Sequence, residues 1–176
     1  MHISIHTYTV FSGVLNGDFV DYEGAETSTW NLMDGGSADL TGWTLGGNVL
    51  RIKSGNSNWG SVSSVSGSYF TGLHNTEGGS ISTALSGMQI GSLYSVTWNE
   101  QDRPNHQSRA LAVKIGGCEG VDISSEHTVP DLWEMKQATF VATATSTVLC
   151  FISAGGAEDG SVFVDAIAAA HEGTKT

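Results

Sequence analysis

Apolar and polar residues alternate with a period of two through most of the chain. In VLRIKS (49–54) Leu50 and Ile52 fall on one face, and Val49, Arg51 and Lys53 on the other. SISTAL (80–85) sets Ile81, Thr83 and Leu85 against Ser80, Ser82 and Ala84. YSVTWNE (94–100) sets Tyr94, Val96 and Trp98 against Ser95, Thr97 and Asn99. LAVKI (111–115) repeats the pattern with Leu111, Val113 and Ile115. Successive side chains of a strand point to opposite faces, so this alternation predicts antiparallel strands with one apolar and one wet face.

Turn signals punctuate the pattern at short intervals: TEGG (76–79), SGMQIGS (86–92), IGGCEG (115–120) and SAGGAEDG (153–160). TFVATATSTVLCFIS (139–153) reads as two strands joined around its Thr/Ser-rich middle, SVFVDAIAAA (161–170) as the last strand, and HEGTKT (171–176) as a loose polar tail. No stretch carries a helical face over three turns, and the alanine run at 168–170 is too short to nucleate a helix. About nine or ten short strands without a linker or internal repeat predict an all-β fold, an antiparallel β-sandwich, over residues 14–170. Residues 1–13, with HISIHTYTVF, form an N-terminal extension or an edge strand able to pair with a neighbour.

Composition narrows the chemistry. A chain of 176 residues suffices for one well-buried domain, and 23 glycines against 2 prolines suit short strands and tight turns. The formal charge is −11 with only seven Lys plus Arg. With no basic stripe, nucleic acid and anionic membrane surfaces are excluded as partners, and no apolar run is long enough for membrane insertion. The acidity suits a neutral ligand or a cation. The first residues lack the charged and apolar regions of a signal peptide. Cys118 and Cys150 are placed either to bridge neighbouring strands or, for Cys150 within TVLCFIS, to act as a buried thiol.

Several landmarks in order carry a family resemblance. LNGDFV (15–20), Gly42-Trp43, YFTGLHNTEGGSISTAL (69–85), GSLYSVTWNEQDRP (91–104), LAVKIGG (111–117), FVATATSTVLCF (140–151) and VFVDAIA (162–168) together resemble the galactose-binding-like jelly rolls. That group includes carbohydrate-binding modules and cell-wall-associated domains. The resemblance implies a jelly-roll sandwich and a structural Ca²⁺ joining the N-terminal opening to Asp165. Calcium takes six to eight oxygens, many of them carbonyls. The family's Glu after Phe is Val20 here, which leaves Asp18, through its carbonyl, Asp21 or Glu23 to join Asp165 as metal-ligand candidates. By its own alternation Asp165 shares a face with Phe163 and Ile167, where a carboxylate must be paired, hydrogen-bonded or cation-bound.

The ligand candidates lie elsewhere. WNEQDRPNHQSR (98–109) ends a strand in a dense polar cluster. Trp98 reads as core, and Glu100 follows it toward the rim. Arg103 matches the family's Arg-Pro position. Its planar fork suits sugar oxygens or a carboxylate such as Glu100 or Asp102, and Asn105 and His106 follow at the loop tip. A sugar presents apolar C–H patches beside hydroxyls, so an aromatic face is wanted too. Trp59 in SGNSNWGS is the candidate for an exposed platform, or else plugs the sandwich edge; Tyr69 and His74 line the same end.

Six scattered histidines show no metal-binding spacing on a regular element, and neither a Gly-x-Ser-x-Gly elbow nor a phosphate-binding glycine loop occurs. The sequence therefore reads as no enzyme but as a carbohydrate-binding module of an extracellular or cell-envelope protein, recognising a glycan or cell-wall polysaccharide. The alternative is a structural module of a larger extracellular or particle protein, with protein partners or self-assembly.

Overall fold

The computed structural model describes residues 11, 13–21, 30–34, 40–106, 109–153 and 160–174. They form nine strands: β1 (Trp30–Asp34), β2 (Thr44–Lys53), β3 (Tyr69–Ser86), β4 (Ser92–Asp102), β5 (Ala110–Ile115), β6 (Val121–Thr128), β7 (Glu134–Val141), β8 (Ser146–Ser153) and β9 (Ser161–Thr174). One 3₁₀ turn, Ser57–Trp59, follows β2. The strands pair antiparallel in the order β6-β5-β8-β3-β9-β4-β7, and β2 joins β1 to β3.

β3 makes two layers from this one ladder. Over Thr71–His74 it pairs with β9, and over Ser80–Ser86 with β8. A strand that changes partners along its length turns the corner between packed sheets. The TEGG stretch, expected to be a turn, lies inside β3: pairing with β2 jumps from Gly47↔Gly79 to Asn48↔His74, so the extra residues are absorbed as an irregularity in the ladder.

The core lies where the alternation places it. Ile81 and Leu85 of β3, Tyr94, Val96 and Trp98 of β4, Leu111 and Val113 of β5, and Leu149 and Phe151 of β8 all face one apolar interior. Burying each large side chain contributes roughly 1.5–3 kcal/mol.

β2 departs from the expected wet face. Leu50 and Ile52 enter a second cluster with Trp59, Val62, Phe70 and Phe163, while Val49 faces the main core and Arg51 is buried as well. The segment after β2 folds over the opposite face of β2, β3 and β9. It is fastened there by Trp133, whose Nε1 donates to the Ser63 carbonyl at 2.8 Å. Both faces of β2 are therefore covered.

β9 carries a bulge. Thr97 of β4 pairs with Ala168 and Asn99 with Asp165, leaving an extra residue on β9, where Ala166 has φ of 51°. Val162, Val164 and Ile167 consequently all face the core, while Phe163 turns to the second cluster. Asp165 does not share a face with Ile167, as strict alternation had implied. The expected tail is also strand as far as Thr174. His171 lies 5.0 Å from the Tyr94 ring, and Ser95 Oγ donates to Glu172 Oε1.

Cys118 and Cys150 form a disulfide with Cα atoms 5.2 Å apart, so the free buried thiol is not what the fold uses. Of the N-terminal extension, residues 1–10 and 12 lie outside the described residues; Phe11 packs its ring 4.9 Å from that of Tyr94. The next segment docks against β9, where Ile167 N–H donates to the Gly17 carbonyl at 3.0 Å. A Cβ at Gly17 would lie 2.0 Å from the Ile167 carbonyl oxygen, which is why the Asn-Gly opening needs a glycine.

Candidate functional site

The polar cluster after β4 closes one end of the sandwich. Arg103 N–H is held by the Ser161 carbonyl and by Asp102 Oδ1, both at 3.0 Å. His106 N–H closes a turn onto the Arg103 carbonyl at 3.3 Å, with Asn105 at φ of 62° between them. Asn tolerates this left-handed conformation better than most residues, so the tip is built from a residue suited to it. Asn105 and His106 are exposed, and Arg103 is half-buried.

Arg103 does not point at random. Its guanidinium carbon lies 4.1 Å from the centroid of the Trp59 ring, and Nη2 donates to the Asn58 carbonyl at 3.1 Å. Pro104 packs against Gly60, which has φ of 80°; a Cβ there would stand 2.9 Å from Pro104 Cγ. The 3₁₀ turn and the 103–106 loop thus fit together as one surface. His74 joins them, its ring edge-on to Trp59 at 5.5 Å and its Nδ1 2.7 Å from Ser161 Oγ.

Three of the expected ligand residues are placed otherwise. Trp59 is only 6% exposed: one face lies under Arg103 and its edges meet His74 and Phe163, so it supports the guanidinium and offers no platform for a sugar. Tyr69 is buried beneath Arg51, whose guanidinium carbon stands 3.4 Å from the ring centroid, away from the 103–106 loop. Glu100 is not at the rim but fully buried. Its carboxylate accepts from Trp98 Nε1 at 2.7 Å and contacts His127 Nε2 at 2.7 Å. Arg103, Asn105 and His106 are brought together; Glu100 and Tyr69 are not among them. The pairing of Gly60 with Pro104 had no sequence signal beyond the two residue types.

Calcium must be judged on its donors. Asp165 is buried and already engaged: Oδ2 accepts from the Val65 and Ser66 amides at 2.6 and 3.1 Å, and Oδ1 from the Ala166 amide at 2.7 Å. Burial, joined by the smaller effect of the Asp18 charge, raises its pKa to about 6 against the pull of those three amides. Asp18 sits against Gly67 in the same loop. Asp21 is exposed, and its N–H and carbonyl both close onto the Asn16 side chain. The Phe19 and Val20 carbonyls accept from Arg51 Nε and Nη2 at 2.9 and 2.8 Å. Among the described residues no group of three or more His, Cys, Asp or Glu side chains could hold a metal ion. The described donors therefore fit calcium poorly; Glu23 lies outside the described residues.

Two open clefts lie away from this end. One of about 490 Å³ is lined by Ile115, Val121, Ile123, Phe140 and Val141 together with Thr143 and Thr147. The other, of about 370 Å³, sets Thr44, Ser82 and Thr83 beside Trp43. Among the described residues no helix is long and apolar enough to cross a membrane.

No curated protein matches the sequence. Among solved structures, a cyclase from Fischerella sp. TAU, in complex with 4-(1H-indol-3-yl)butan-2-one, is 12% identical with a TM-score of 0.65, covering 96% of this chain and all of its own. TmCBM61, in complex with β-1,4-galactotriose, is 17% identical with a TM-score of 0.58, covering 92% of this chain and 99% of its own. The EclA C-terminal domain, a sugar-binding protein, is 18% identical with a TM-score of 0.45; the match covers 51% of this chain and 64% of that domain, too loose to carry an argument. The fold is a jelly-roll β-sandwich of the kind carbohydrate-binding modules use. Residues 12–169 match the family described as a protein of unknown function, DUF642, and the chain belongs to that family.

Proposed function

We propose that this domain is a non-catalytic carbohydrate-binding module that takes a glycan at the sandwich end built by Arg103, Asn105 and His106. The observation that carries the reading is the fixed guanidinium. Arg103 is half-buried yet locked between the Trp59 ring and the Asn58 carbonyl, next to an exposed loop tip. A pre-oriented planar donor costs little ordering entropy on binding and suits paired oxygens. Asn105 and His106 add exposed donors and acceptors beside it. A sandwich similar to TmCBM61 over almost its whole length supports the reading as well. The net charge of −11 favours a neutral or weakly acidic glycan over a strongly anionic one. The Cys118–Cys150 bridge fits an oxidising compartment, hence an extracellular or envelope setting.

Calorimetric titration with a panel of neutral and uronic oligosaccharides tests this. Arg103→Ala should weaken the best ligand about 10- to 100-fold, the equivalent of a lost charged hydrogen bond. Ser82→Asp, in the groove beside Trp43, should leave affinity unchanged. The opposite pattern moves the site to that groove, and a panel with no binder defeats the glycan reading altogether.

A further inference from the structure

We propose that Arg51 is the resident structural cation of this domain, its guanidinium fastening the N-terminal opening to β2 and β3 in place of a calcium ion. Among the described residues the opening pairs with no strand, and beyond the Ile167 amide on the Gly17 carbonyl it is fastened at Phe19 and Val20. Arg51 lies on β2, where Cα pairing sets it opposite Thr71 of β3, and its side chain is 3% exposed. Nε and Nη2 form a two-pronged donor onto the successive carbonyls of Phe19 and Val20. The face of the guanidinium lies on the Tyr69 ring at 3.4 Å, a cation–π contact shielded from water.

Phe19, whose own carbonyl is one of the two acceptors, is fully buried with its ring 5.5 Å from that of Trp43. The guanidinium thus pins the opening at the residue that enters the core.

A calcium ion entering here would set its charge beside the Arg51 guanidinium and compete with it for the two carbonyls, and with three backbone amides for the Asp165 carboxylate. Each displaced donor would be left buried without its acceptor, which is costly for an amide and more so for a guanidinium. The cross-link is built from side chain and backbone alone, so it persists without any metal.

The test uses the full chain in two arms. Thermal unfolding of the wild type is measured with millimolar EGTA and with millimolar Ca²⁺, alongside calorimetric titration of Ca²⁺ itself. The expected result is one melting temperature in both buffers and no saturable heat. In the second arm Arg51→Lys keeps the charge but loses the fork. It should melt about 5–10 °C lower, still without response to Ca²⁺. A wild type stabilised by Ca²⁺ with stoichiometric binding overturns the proposal, and so does an Arg51→Lys variant as stable as the parent. Should Arg51→Lys not fold, Arg51 is essential as argued, and the wild-type arm still decides the metal.

Discussion

Asp165 offers a measurement whose sign is fixed by its surroundings. Its carboxylate is fully buried on β9, accepts three backbone amides and lies within reach of the Asp18 charge. Burial outweighs the amides and raises the pKa from 3.8 to about 6. A folded-state pKa above the unfolded one means that folding favours the protonated acid. The stability from this group is therefore fully present below about pH 4 and lost as pH climbs through about 6. A difference of about 2 in pKa corresponds to about 3 kcal/mol over the whole window, of which about 2 kcal/mol falls between about pH 4.5 and about pH 7.5.

Asp165→Asn removes the titration while keeping the shape. Its amide nitrogen must face one of the backbone donors, so the variant is less stable than the parent at low pH. The gap should then close by about 2 kcal/mol as pH rises, because only the parent pays for ionising. Urea unfolding followed by tryptophan fluorescence at a series of pH values gives both curves, and subtraction cancels every other titrating group. A gap independent of pH refutes the burial argument. A gap that widens with pH would mean the anion is the favoured form, as it would be against a bound cation, and would count against Arg51 as the sole cation of this region too.

Two further predictions rest on single features. Replacing both Cys118 and Cys150 by Ser, at a separation of 32 residues, should cost about 3–4 kcal/mol in urea unfolding; an unchanged midpoint would show that the bridge constrains nothing in the unfolded chain. Gly60→Ala introduces a Cβ 2.9 Å from Pro104 Cγ at φ of 80°, so it should lower stability by about 1–2 kcal/mol and weaken glycan binding through the displaced Arg103 loop. Unaltered affinity, measured by titration, would separate the 3₁₀ turn from the site.

What could be read from the sequence follows from what burial does to a pattern. Alternation in β4 and β5 identified Tyr94, Val96, Trp98, Leu111 and Val113 as core because each of those strands turns one apolar face to a single interior. The same reasoning failed at Arg51, which looked solvent-facing. It is buried with its guanidinium donating to two carbonyls 31 and 32 residues away in sequence, a pairing no local pattern records. It failed again at Asp165, where one residue of bulge reverses the faces beyond it; strict alternation assumes an unbroken ladder, and Ala166 breaks it. Trp59 shows the third kind of loss. An aromatic in a Gly/Asn-rich loop has the composition of an exposed platform, and only the fold of that loop over Leu50, Ile52 and Phe163 turns it into the support beneath Arg103. The elements of the site were thus legible as residue types near strand ends. Their roles were not, because each role is set by which long-range partner covers which face.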